Sequence, residues 1–174
     1  MGAMPNTMTG RIRRALRHTF TSTSRGKRAF PPDTLKAIQQ AITQGEQRHR
    51  AEVRLIVEAA LSASQAFHNL TNRERARMLF AQYGVWDTEE NCGVLIYVNI
   101  AERAVDIVAD RHVGRLIADT EWQTICSTMT QGFAQGEFHN STLSALEQLN
   151  TLLARHYPAG GSRPNQLPDE AVIL

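Results

Sequence analysis

The chain has 174 residues, 42% hydrophobic and 21% charged, with a formal net charge of +2 and two cysteines. That length is enough for one domain with a buried core, and the composition is globular rather than disordered or collagen-like. No apolar run approaches the ~20 residues that a bilayer-spanning helix needs, and Cys92 and Cys126 lack the spacing of a metal site.

The basic residues near the start are followed by no apolar stretch of the signal-peptide kind, so a cytoplasmic address is expected. Gly2-Ala3 reads as an added stretch before a natural start at Met4 or Met8, and Asn6 stands where a myristoylation signal requires Ser or Thr. Charge is distributed unevenly. Residues 1–30 carry seven basic side chains and no acid, leaving 12 basic against 17 acidic residues in the remainder. A single-sign block of this kind marks an interaction arm or a solvated tail.

Within the arm, Ile12, Leu16 and Phe20 recur every four residues beside Arg13, Arg14 and Arg17, which predicts a short helix over 11–20. Such a helix could lie on an anionic membrane surface or clasp a membrane protein, and the plainer expectation is a frayed arm that touches nothing. No aromatic platform accompanies the charges, so nucleic acid is not expected as a partner.

Pro31-Pro32 marks the start of the domain, with Asp33 as the expected N-cap of a helix over 34–49 closed by His49-Arg50. Leu35, Ile38 and Ile42 give that helix its apolar side. The β-branched run at 52–58 predicts a first strand, and 59–72 a looser connection. Thr71 and Glu74 have capping-box spacing for a helix carrying Ala76, Leu79, Phe80 and Tyr83, stopped at Gly84.

Residues 86–111 hold an acidic loop (Asp87, Glu89, Glu90), an apolar run over 93–98, a short polar break and a second strand-like run over 104–109. Runs this close predict a hairpin, and folding about Ala101 sets Cys92 beside Asp110 and Asn91 beside Arg111. Strand, helix and strand imply a right-handed crossover between parallel strands. Together these bring the loop at 86–91 and the loop at 110–113 to one end of a mixed sheet, and that convergence is the candidate site.

Beyond it, Val113, Leu116 and Ile117 form a short amphipathic turn. Asp119 is expected to cap a helix running to Gly132, and Ser141 or Thr142 to cap the last helix. There Leu143, Leu146, Leu149, Leu152 and Leu153 repeat at core spacing. The apolar end, 171–174, is expected to pack back on the body. His18, His68 and His139 read as incidental. This divides the chain into an arm at 1–30, a domain at 31–158 and a tail at 159–174, with oligomeric state left open.

The segment Asn91-Cys92-Gly93-Val94-Leu95-Ile96, the turn at Glu102-Arg103, the strand 104–110 and Gln131-Gly132-Phe133 together resemble the TPM-domain family. The resemblance spans about residues 30–158, and the basic arm and L-P-D tail are most like the short soluble bacterial members. It implies an α/β/α sandwich on a small mixed β-sheet, made of a β-α-β crossover plus a hairpin flanked by helices. It also implies an interaction module that binds a divalent cation such as calcium, or alternatively a metal-dependent phosphatase. Cys92 before Gly93, and Asp110-Arg111-His112 where glycines are common, depart from the family pattern.

Calcium or magnesium needs several oxygen ligands. Asp87, Glu89, Glu90, Asn91, Asp110 and Asp119 are the candidates to supply them. In the phosphatase reading the catalytic set is Asp87, Asp110, Arg111 and His112. A bound metal polarises the phosphoryl oxygen, Arg111 neutralises phosphate charge and His112 donates a proton to the leaving group. The plainer alternative is a solvated acidic turn with Arg111 in a surface ion pair to it, and Asp119 simply an N-cap.

Overall fold

The computed structural model describes residues 8–21, 23–161 and 164–174. Residues 1–7, on which the readings of Gly2-Ala3, Met4 and Asn6 fall, lie outside them. In chain order the elements are α1 (Met8–Phe20), α2 (Thr23–Ala29), α3 (Pro32–Glu46), β1 (Glu52–Glu58), α4 (Ala63–Phe67), α5 (Asn72–Gln82), β2 (Gly93–Asn99), β3 (Ala104–Ala109), α6 (Arg111–Leu116), α7 (Asp119–Gln135), α8 (Phe138–His156) and β4 (Val172–Ile173).

The strands form one mixed sheet in the order β3-β2-β1-β4. β1 runs parallel to both β2 and β4, and β2 is antiparallel to β3. All seven residues of β2 are buried, as its unbroken apolar run requires of a strand covered on both faces. On one face Val53, Leu55, Val57, Val94, Ile96, Val98 and Ile107 meet Ile38, Ile42, Met129, Leu146, Leu149 and Leu153 from α3, α7 and α8. On the other, Ile56, Leu95, Tyr97 and Val108 pack with Ala76 and Leu79 of α5. The alternation of side chains along each strand thus feeds two cores, and the α/β/α sandwich follows.

Several local expectations are corrected. The hairpin pairs Val94 with Ala109 and Asn99 with Ala104, one residue out of the expected register. α3 starts at Pro32 behind Pro31, with Asp33 inside its first turn, and it stops at Glu46. His49 therefore falls beyond the helix, buried between the Ala51 carbonyl (3.1 Å) and Asn150 (3.2 Å). The connection 59–72 contains α4, capped by Ser62 and Gln65. α7 continues past Gly132 to a left-handed Gly136 (φ +83°), and α8 begins at Phe138. Ser141 and Thr142 are buried in α8 and do not cap it.

The arm does not hang free. Arg14 of α1 donates to Glu102 in the β2–β3 turn (2.5 Å) and to the Leu70 carbonyl (2.7 Å). His18, read as incidental, is buried, with Nε2 bonded to Glu102 (2.9 Å) and Nδ1 accepting from the Leu61 amide (3.0 Å). At the other end of the chain, the tail supplies β4 to the sheet edge, with the Leu174 amide donating to the Val57 carbonyl (2.8 Å). No helix among the described residues is long and apolar enough to cross a membrane.

Candidate functional site

The loop from α5 to β2 is built from two successive tight turns. Gly84, at φ +63°, reverses the chain, and the Asp87 amide donates to its carbonyl (2.9 Å). The Asn91 amide then donates to Thr88 O (3.1 Å), and the buried Thr88 hydroxyl accepts from the Cys92 amide (2.9 Å). Val85 is fully buried and pins the loop, while its neighbour Trp86 is 55% exposed.

Gly93 allows this closure. A Cβ there would collide with the Val85 carbonyl, which is backbone and has no rotamer to move to. Its own carbonyl accepts from the Asp110 amide (2.8 Å), which fixes the second loop beside the first. Asp110 turns its Oδ1 to the Arg111 amide (2.6 Å) as N-cap of α6, and its Oδ2 is buried with no hydrogen-bond partner among the described residues.

The two loops and α6 border an open cavity of about 610 Å³ lined by Trp86, Asn91, Asp110, Arg111, His112, Arg115 and Leu116. Segments 86–91 and 110–112 are therefore neighbours on one rim of the sheet. Three basic-type side chains face one carboxylate across it. Trp86 and Leu116, the latter 43% exposed, supply its apolar walls.

The six candidate metal ligands do not gather there. Glu90 turns away to accept from the Tyr157 hydroxyl (2.5 Å) and from Arg50 (3.1 Å). Asp87 and Glu89 are exposed and off the cavity lining, and Asp119 is the exposed first residue of α7, whose N-cap is Ala118. Among the described residues no three His, Cys, Asp or Glu side chains are placed to share an ion. Asn91 and Asp110 alone fall far short of the six to eight oxygens that calcium takes, so these residues do not fit a metal as they stand. Nor, among the described residues, does an ion pair join Arg111 to the acidic loop.

Beside the cavity, His112 lies edge-on to Tyr157 (centroids 5.3 Å), and the Arg50 guanidinium lies over the same ring at 4.3 Å. Burial, and then the hydrogen bond to the Glu90 carboxylate, push the Tyr157 hydroxyl up, so it stays a donor. Arg115, Leu116 and Tyr157 were not legible as site residues. Arg115 and Leu116 sit in a helix of only six residues, and Tyr157 arrives from the far end of α8.

The sequence profile of the TPM domain matches residues 25–152, and the chain belongs to that family. Among solved structures it is similar to the NMR structure of the BA42 protein from the psychrophilic bacterium Bizionia argentinensis. That likeness has a TM-score of 0.71 at 24% identity, over 80% of this chain and 92% of that one, and it speaks for the fold alone. No curated protein matches the chain.

Proposed function

We propose that this TPM domain is a binding module whose rim cavity takes an anionic ligand with a flat or apolar part. The observation that carries this reading is the lining of the cavity. Arg111, Arg115 and His112 supply cationic or hydrogen-bonding groups against the single carboxylate of Asp110, and half-exposed Trp86 offers a ring face. Guanidinium groups bind phosphate and carboxylate oxygens through paired N–H donors, and an aromatic wall adds affinity for a planar group. The cavity's volume lies within the range of small-ligand clefts, and its lining, five polar or charged residues beside Trp86 and Leu116, suits a charged ligand better than a wholly apolar one. A metal-activated water has no support from this set of side chains, because the carboxylates it needs point elsewhere.

Intrinsic fluorescence tests the reading, since Trp86 lines the cavity while Trp122 lies elsewhere, half-buried. Titration with phenyl phosphate is expected to change the emission saturably, and inorganic phosphate to bind more weakly. Arg111→Ala is expected to weaken phenyl phosphate binding by about tenfold, the loss of one charge-assisted contact at an open site. In parallel, p-nitrophenyl phosphate is incubated with calcium, magnesium, manganese or EDTA. No turnover is expected. Metal-dependent turnover that disappears in Asp87→Ala or Asp110→Ala would replace the binding module with the phosphatase.

A further inference from the structure

Helix α1 is packed inside out. A surface helix ordinarily turns its apolar stripe to the core. Here the inward side carries Arg11, Arg14 and His18, while Met8, Ile12, Leu16 and Phe20 face solvent at 62%, 47%, 51% and 79% exposure. Their spacing of four residues sets them on one continuous face.

The inversion is held by specific contacts. Glu102 collects the Arg14 guanidinium (2.5 Å), His18 Nε2 (2.9 Å) and the Asn72 amide (2.6 Å), and Arg11 lies over the Phe67 ring at 5.4 Å. Because His18 Nδ1 accepts from Leu61, the ring donates to Glu102 through Nε2, so neither nitrogen is left over. Burial alone would raise the Glu102 carboxyl, but hydrogen bonds from His18, Arg14 and Asn72 bring it down to about 2. The helix therefore cannot roll its apolar side inward without abandoning a half-buried, satisfied carboxylate.

The charge around the stripe has one sign. Arg13 and Arg17 follow it along one border, and exposed Arg25, Lys27 and Arg28 extend the basic surface onto α2. Residues 1–30 contain no acid, and among the described residues none of these five cations has a carboxylate partner within 4 Å. A narrow, straight apolar ridge on a convex helix, bordered by long cationic side chains, suits a planar interface. The ridge enters the acyl boundary while the arginines reach lipid phosphates. We propose that α1 is an interfacial anchor seating this domain on an anionic lipid bilayer.

The test is co-sedimentation of the full chain with vesicles of phosphatidylcholine alone, or of phosphatidylcholine and phosphatidylglycerol in equal parts. The companion measurement is the solution mass across protein concentration. Binding is expected to the anionic vesicles only, and to fall as salt rises. The double variants Ile12→Asn with Leu16→Asn, and Arg13→Gln with Arg17→Gln, are each expected to lose about tenfold or more in partitioning. These side chains lie outside the core, so unchanged melting temperatures separate lost binding from lost folding. Absence of binding to anionic vesicles would overturn the proposal, as would equal binding by both double variants. Self-association abolished by the Ile12/Leu16 variant, without vesicle binding, would also overturn it and assign the ridge to a second copy of the chain.

Discussion

The Glu46 carboxylate accepts from the Val53 amide (2.9 Å) in a corner it shares with Glu52 and Asp169. Burial, and then the neighbouring charges of Glu52 and Asp169, push its carboxyl up to about 8. An unfolded glutamate titrates near 4.5, so between those limits the folded chain holds a proton that the unfolded chain has lost. The stabilisation is complete below the unfolded value and is lost as pH rises through the folded one, by at most about 1.4 kcal/mol per pH unit. His49 works in the opposite sense: burial lowers it, so its contribution falls away as pH drops below 6.5. Between pH 6.5 and 8 Glu46 therefore acts without opposition from His49. Urea denaturation across that window is expected to show wild-type stability declining with pH and Glu46→Gln nearly flat. Parallel slopes for the two proteins would show that Glu46 does not titrate there.

At the scale of elements, α5 was the most legible, because its start is written locally. The Thr71 hydroxyl accepts from the Glu74 amide (3.1 Å), and the Glu74 carboxylate accepts from the Thr71 amide (2.9 Å), as their spacing requires. Thr71→Ala is expected to cost about 1 kcal/mol, read as a lower denaturant midpoint with unchanged slope. A midpoint shift near zero would mean water satisfies the α5 N-terminus equally well. β1 and β3 were legible for a similar reason, as β-rich runs with clear borders. The start of α8 was not, because buried Ser141 sits where a cap is expected. The Cβ that Gly132 lacks would strike it, so its placement belongs to the α7–α8 contact. The docking of α1 was hidden more completely. Its partner Glu102 lies 88 residues from Arg14, and the helix obeys that ion pair instead of its own apolar pattern. Likewise, the convergence of the rim loops could be read from the hairpin and crossover, but the rotation of Glu90 toward Tyr157, 67 residues on, could not.

Across the whole molecule, the hairpin separates the two proposed surfaces. The cavity sits where β2 begins and β3 ends, while Glu102, which holds α1, lies in the turn at the opposite end. Six paired residues at ~3.3 Å each put roughly 20 Å of sheet between them. The proposed lipid anchor and the proposed ligand cavity therefore belong to opposite ends of the hairpin. The basic side chains concentrated in residues 1–30 and the acidic remainder of the chain fit this division of labour. The rim cavity bears most of the functional weight, and backbone amide shifts measured during a phenyl phosphate titration test it most directly. Saturable shifts are expected for Asn91, Asp110, Arg111 and the Trp86 indole, with Arg14 and His18 unmoved and the response weakened in Arg111→Ala. Shifts that do not saturate, that centre on α1, or that are identical in Arg111→Ala would contradict it.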